Sequence, residues 1–114
     1  MSIMGNLYGF LGYYNHSRAK FDKAVDMYKK AEKLGIYKPN YLLSYGVLML
    51  REGNFEKAKE LFSTVLTDLP AKEEHKTMAK INISLAYWKL GDIDVAVEMM
   101  EEVHRKYRSG RVYG

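Results

Sequence analysis

The sequence matches itself. Displacing it by 34 residues superimposes Gly12 on Gly46, Phe21 on Phe55, Lys23 on Lys57, Ala24 on Ala58 and Tyr28 on Phe62. A displacement of 38 brings the second segment onto a third: Gly53 on Gly91, Asn54 on Asp92, Phe55 on Ile93, Ala58 on Ala96, Phe62 on Met100 and Val65 on Val103. A period in this range means a supersecondary unit used three times, each unit burying its apolar flank against the next. The 114 residues therefore form one continuous stack.

Within each unit, apolar residues recur at helical spacing on both sides of a short polar turn. Glu52-Gly53-Asn54 and Leu90-Gly91-Asp92 are the clearest turns: glycine accepts the left-handed backbone that ends one helix, and Asn or Asp caps the next. The first unit carries Ser17-Arg18-Ala19 instead, a less well specified turn. Pro39 and Pro70 fall between units, where a first helical turn tolerates them. Helices are predicted near 4–17, 20–34, 39–51, 54–68, 72–90 and 92–107, in units of about 5–38, 39–72 and 77–110, with a fourth unit starting at 111–114.

The run Tyr41 to Pro70, with Gly46, Gly53-Asn54-Phe55, Ala58, Phe62 and Pro70 at this spacing, resembles a tetratricopeptide repeat, and the resemblance covers almost the whole chain. It implies an all-α fold, a right-handed α-α superhelix of three helix-turn-helix repeats. Gly46 and Ala58 are small enough for the helices of one hairpin to approach, and Phe55 and Phe62 are expected to fill the space between hairpins. Asn15, Lys80 and Ser84 depart from the pattern, standing where an aromatic, a large apolar residue and a close-packing glycine are common.

The resemblance also gives each opening helix three faces. One meets its own partner helix, with Tyr8, Leu11 and Gly12 in the first unit, Leu42, Tyr45, Gly46 and Met49 in the second, and Ile83, Ser84 and Tyr87 in the third. A second meets the preceding hairpin through Leu7, Phe10 and Tyr14, then Tyr41, Ser44 and Leu48, then Ala79, Asn82 and Ala86. The third lines a concave surface that the family uses for binding. It carries Asn6, Gly9, Tyr13 and His16, then Asn40, Leu43, Val47, Leu50 and Arg51, then Met78, Ile81, Leu85, Trp88 and Lys89.

That surface is mostly apolar, which leaves two readings: a groove that holds an apolar or amphipathic segment of a protein or peptide, or side chains that cover one another. In the first, Trp88 and Tyr13 are aromatic anchors and Arg51 and Lys89 rim charges. Members of the family that clamp acidic chaperone tails do so with basic and Asn side chains on this surface. Gly9, Tyr13, Val47 and Met78 stand where that clamp is expected, which argues against this specificity.

At the ends, Leu7, Phe10 and Tyr14 are larger than Ala79, Asn82 and Ala86, and Val97, Met100 and Tyr107 have no following unit to cover them. These residues are expected to mediate end-to-end association, in a homo-oligomer or within a longer array.

Formal charge is +4, all of it within residues 1–38, where seven Lys/Arg face three acids. An excess confined to one end is not the continuous basic stripe of a nucleic-acid binder, so RNA ranks behind protein as a partner. No apolar run approaches the roughly 18 residues of a membrane span, and the amino end lacks the basic leader and cleavage site of a signal peptide. With no cysteine, thiolate metal sites and thiol nucleophiles are excluded, and a reducing, cytoplasmic setting is favoured.

His16, His75 and His104 lie in different units without ligand spacing, and no pattern supplies a nucleophile and base. Asp92 and Asp94 are better explained as helix-start acids than as a calcium loop. Asn15-His16-Ser17 and Asn82-Ile83-Ser84 spell glycosylation acceptors that fall in or beside helices. Neither a cofactor nor an enzymatic activity is expected.

Overall fold

The computed structural model describes residues 3–36, 38–68 and 70–113, with side chains through residue 108. Six helices follow one another: α1 (Ile3–Ser17), α2 (Phe21–Leu34), α3 (Pro39–Glu52), α4 (Phe55–Thr67), α5 (Glu73–Lys89) and α6 (Ile93–Tyr113). They pair as three hairpins, α1/α2, α3/α4 and α5/α6, and no strand occurs among the described residues. The opening helices touch along the stack, α1 on α3 and α3 on α5. The molecule is an all-α solenoid of three repeats.

The turns within the hairpins share one mechanism. Lys20, Asn54 and Asp92 each donate their backbone N–H to the carbonyl five residues earlier, on Asn15, Met49 and Tyr87, at 2.8–2.9 Å. This Schellman closure needs the preceding residue in the left-handed region. Gly53 (φ +83°) and Gly91 (φ +93°) adopt it freely. In the first hairpin Ala19 takes it at φ 60°, so the turn that looked poorly specified has the same geometry and carries the strain of a Cβ. Asn54 caps α4 by accepting the Lys57 N–H at 3.3 Å.

Packing inside a hairpin turns on a glycine under a ring. A Cβ at Gly12 would meet Tyr28 ring carbons at 2.7 Å, and one at Gly46 would meet Phe62 at 2.5 Å. Tyr28 and Phe62 are fully buried. Phe62 thus fills its own hairpin over Gly46, rather than only the gap between hairpins. The third unit has Ser84 and Met100 in the corresponding places. Ser84 is buried and donates from Oγ to the Ile81 carbonyl at 2.6 Å, while Met100 stays 42% exposed.

Between hairpins, Tyr28 of α2 stacks on Tyr45 of α3, with centroids 5.2 Å apart and planes 15° from parallel. The Tyr45 hydroxyl donates to Glu32 at 3.0 Å, and Lys57 from α4 pairs with the other oxygen of the same carboxylate. Burial, then the neighbouring Glu32 charge, raises the Tyr45 pKa well above its ordinary value and keeps the phenol neutral. In the third hairpin Lys80 pairs with Glu102 at 3.0 Å and Glu73 with Lys106 at 3.1 Å, both exposed bridges from α5 to α6. Lys80, which departs from the repeat pattern, finds its partner there. The hydrogen bond from each lysine holds the carboxyls of Glu102 and Glu73 below their usual range.

The fourth unit expected at 111–114 lies at the end of α6, which continues through residue 113. Gly114, and the side chains from 109 onward, are outside the described residues.

Candidate functional site

The opening helices α1, α3 and α5 stand side by side, and a trough of about 440 Å³ crosses all three. Tyr13, His16 and Ser17 come from α1, Asn40, Leu43, Ser44 and Val47 from α3, and His75, Met78 and Asn82 from α5. Six residues predicted for the concave face, Tyr13, His16, Asn40, Leu43, Val47 and Met78, are therefore brought together. Leu43 and Val47 are half-buried against the core and form the floor. Tyr13 and Met78 stand 44% and 51% exposed above it.

Two features of α1 shape one end of the trough. Gly9 is buried, and a Cβ there would lie 2.6 Å from the Tyr41 ring. The sequence placed Gly9 on the open concave surface. Instead it is a seat for α3, because only a residue without a side chain lets that ring approach. The Tyr41 ring in turn lies 5.9 Å from that of Tyr13, tilted 48° to it. One helical turn on, His16 Nδ1 and Ser44 Oγ are 2.6 Å apart, a hydrogen bond between the first and second hairpins. The His16 ring also meets the edge of Phe21 at 5.9 Å. Burial lowers the His16 pKa and favours the neutral imidazole.

Polar groups in the trough retain hydrogen-bonding capacity. His75 Nδ1 is buried without a hydrogen-bonding partner within the chain. Asn82 spends one amide hydrogen on the Met78 carbonyl at 2.9 Å, and half-buried Asn40 opens the α3 side. Sequence reasoning placed His16 on the groove but did not bring His75, from a different unit, to it; the fold places both on this lining. The signal was available in part, since residues 75, 78 and 82 share one stripe of α5.

The other predicted groove residues lie elsewhere. Ile81, Leu85 and Trp88, 37%, 45% and 52% exposed, face the free flank of the third hairpin. With Val97, Met100 and His104 of α6 they line a second, more apolar groove of about 680 Å³, floored by Ser84 and Ala96. Residues expected to bind a partner and residues expected to mediate end-to-end association thus share one surface. Arg51 is exposed with its guanidinium 3.9 Å from the centroid of Phe21, so it stacks across the hairpins as well as carrying charge. Lys89 is exposed at the end of α5.

At the opposite flank, Leu7, Phe10 and Tyr14 of α1 are 45%, 55% and 46% exposed; on the third hairpin, Tyr107 of α6 is 64% exposed. Among the described residues, no group of three His, Asp or Glu side chains is placed to hold a metal, and no helix is long and apolar enough to cross a membrane.

Comparisons with known proteins agree with this geometry. A family model described as tetratricopeptide repeat matches residues 79–103, from within α5 to within α6. The UBA domain-containing protein 7 of Schizosaccharomyces pombe is 35% identical over 60 residues, 53% of this chain and 9% of that protein. A putative sel1-like repeat-containing protein of Acanthamoeba polyphaga mimivirus is 35% identical over 48 residues, 42% of this chain and 9% of that protein. The chain thus spans about a tenth of the length of these curated relatives. No solved structure matches. Residues 79–103 are thus similar to a tetratricopeptide repeat, a kind of repeat that generally mediates protein–protein interaction, and the three hairpins carry the same helix-turn-helix architecture along the described residues.

Proposed function

We propose that the chain is a protein-binding module whose trough across α1, α3 and α5 holds an extended or helical segment of a partner protein. The observation that carries this reading is the mixed lining. Exposed Tyr13 and Met78 offer apolar contact, while half-buried Asn40, His75 and Asn82 put polar side chains on the same lining. Ligand sites combine an apolar wall with a few placed polar groups in this way, the wall supplying affinity and the polar groups register. A peptide brings both an apolar side chain and backbone amides that such groups can meet.

The test is binding of peptides selected from a random display library, measured by titration calorimetry on the intact chain. Val47→Glu and Met78→Glu are expected to weaken a selected peptide at least tenfold while the circular dichroism spectrum stays helical. Unchanged affinity in both variants would reject the trough as the site.

A further inference from the structure

The two flanks of the stack correspond to the two halves of a contact the chain already makes with itself. In the repeat register, Leu7, Phe10 and Tyr14 of α1 occupy the places of Tyr41, Ser44 and Leu48 in α3 and of Ala79, Asn82 and Ala86 in α5. Tyr41, Ser44 and Leu48 are 6%, 8% and 1% exposed because they seat on the first hairpin: Tyr41 against Gly9 and Tyr13, and Ser44 against His16. Ala79 and Ala86 are fully buried. Their α1 counterparts are bulkier, apolar and about half exposed.

The receiving side repeats as well. Gly9, Tyr13 and His16, which accept α3, correspond to Leu43, Val47 and Leu50 and then to Ile81, Leu85 and Trp88. In the third unit these positions form the apolar groove against α6 and carry its largest side chains. Both flanks expose more large apolar surface than scattered surface residues account for.

We propose that a second copy of this chain docks its α1 into the α5/α6 groove, extending the stack head to tail. The internal register fixes the contacts. As Tyr41 meets Gly9 and Tyr13, Leu7 of the incoming copy meets Ile81 and Leu85; as Ser44 meets His16, Phe10 of the incoming copy meets Trp88. Val97 and Met100 close the groove from the α6 side, where the third hairpin lacks its glycine-and-ring lock. Such a contact is heterologous: each copy keeps one unused donor and one unused acceptor face, so assembly continues to oligomers larger than a dimer. It shares only Asn82 with the lining of the α1/α3/α5 trough, and it rests on the repeat register, independently of the peptide-binding reading.

The test uses sedimentation or light scattering of the full chain across a concentration series, with two complementary variants. The wild type is expected to gain mass steadily with concentration. Phe10→Glu disables the donor face and Trp88→Glu the acceptor face, each raising the dissociation constant at least about thirtyfold, as loss of a central aromatic contact does. Mixed, the two retain one productive junction and form a 1:1 complex that stops there. A wild type that stays monomeric up to about 1 mM, or variants that still associate alone, would overturn the proposal.

Should either glutamate variant lose helicity, the absence of native cysteine allows a second readout. Phe10→Cys and Trp88→Cys chains, mixed in equal amounts under mild oxidation, are expected to form the crossed disulfide dimer well beyond the roughly twofold excess over each symmetric dimer that random pairing gives. A statistical distribution of the three products would contradict the register.

Discussion

The ring of Phe62 rests on Gly46 so closely that a single methyl group at that glycine would lie 2.5 Å from it. Gly12 and Tyr28 repeat the relationship 34 residues earlier. An aromatic from the second helix fills the hole left by a glycine in the first, and the hairpin closes on that pair.

Gly46→Ala therefore sets two effects against each other. Alanine favours an isolated helix by about 1 kcal/mol over glycine, whereas overpacking a filled core costs about 1–3 kcal/mol. Phe62 is fully buried and has little room to retreat, so the overpacking wins. A net loss of up to about 2 kcal/mol is expected in urea denaturation, and an unchanged or raised midpoint would show that the ring can yield.

The third hairpin supplies the converse test. Ser84 and Met100 stand in for the glycine and the ring. Ser84→Gly alone is expected to destabilise, since it adds backbone freedom and leaves a void. Combined with Met100→Phe the loss is expected to be recovered, with a coupling of about 1 kcal/mol in a double-mutant cycle. Simple additivity would mean that the lock does not transfer to this unit.

Ala19 holds a left-handed backbone at φ 60°, where its counterparts are Gly53 and Gly91. A left-handed conformation costs an L-residue roughly 1–2 kcal/mol. Because the position ends a helix rather than lying within one, Ala19→Gly is expected to stabilise the chain by about 1 kcal/mol. A drop in the denaturation midpoint would refute this account of the first turn.

Much of this was legible in the sequence because repetition exposes what each position does. Gly53 and Gly91 announced their turns, Gly46 its close approach, and the helix boundaries followed within one residue except at the end of α6, expected near 107 and reached at Tyr113. Ala19 hid its role because nothing about alanine signals a left-handed backbone; only alignment with Gly53 does. Gly9 misled for a related reason. Helical spacing assigned it to the concave face, but the ring that buries it arrives from Tyr41, a contact between hairpins that local periodicity does not contain.

The separation of Leu85 and Trp88 from Tyr13 and Val47 has the same origin. Equivalent positions share a face in the repeat register, yet in the first two units the next hairpin's opening helix lies beside that face, and in the third only α6 does. Position in the stack, rather than position in the repeat, determines which surface a side chain lines.

His16 links stability to pH. Burial lowers its pKa below the ordinary value of 6.5, so between the two values the unfolded chain binds more protons than the folded one. Its contribution is complete above 6.5 and is lost as pH falls from there through the lowered folded value. His16→Gln is expected to flatten the decline in thermal midpoint over that interval, relative to the wild type. An equally steep decline in the variant would assign the effect to other groups.

The central claim is that a partner lies in the trough across α1, α3 and α5, and a photo-reactive benzophenone side chain tests it most directly. Placed at Met78, which lines the trough, it should cross-link to a bound partner on illumination. At Lys29, exposed on α2 away from the trough, it should not. Cross-linking at position 78 and not at 29, abolished by Val47→Glu, is the predicted result; cross-linking at position 29 with none at 78 would contradict it.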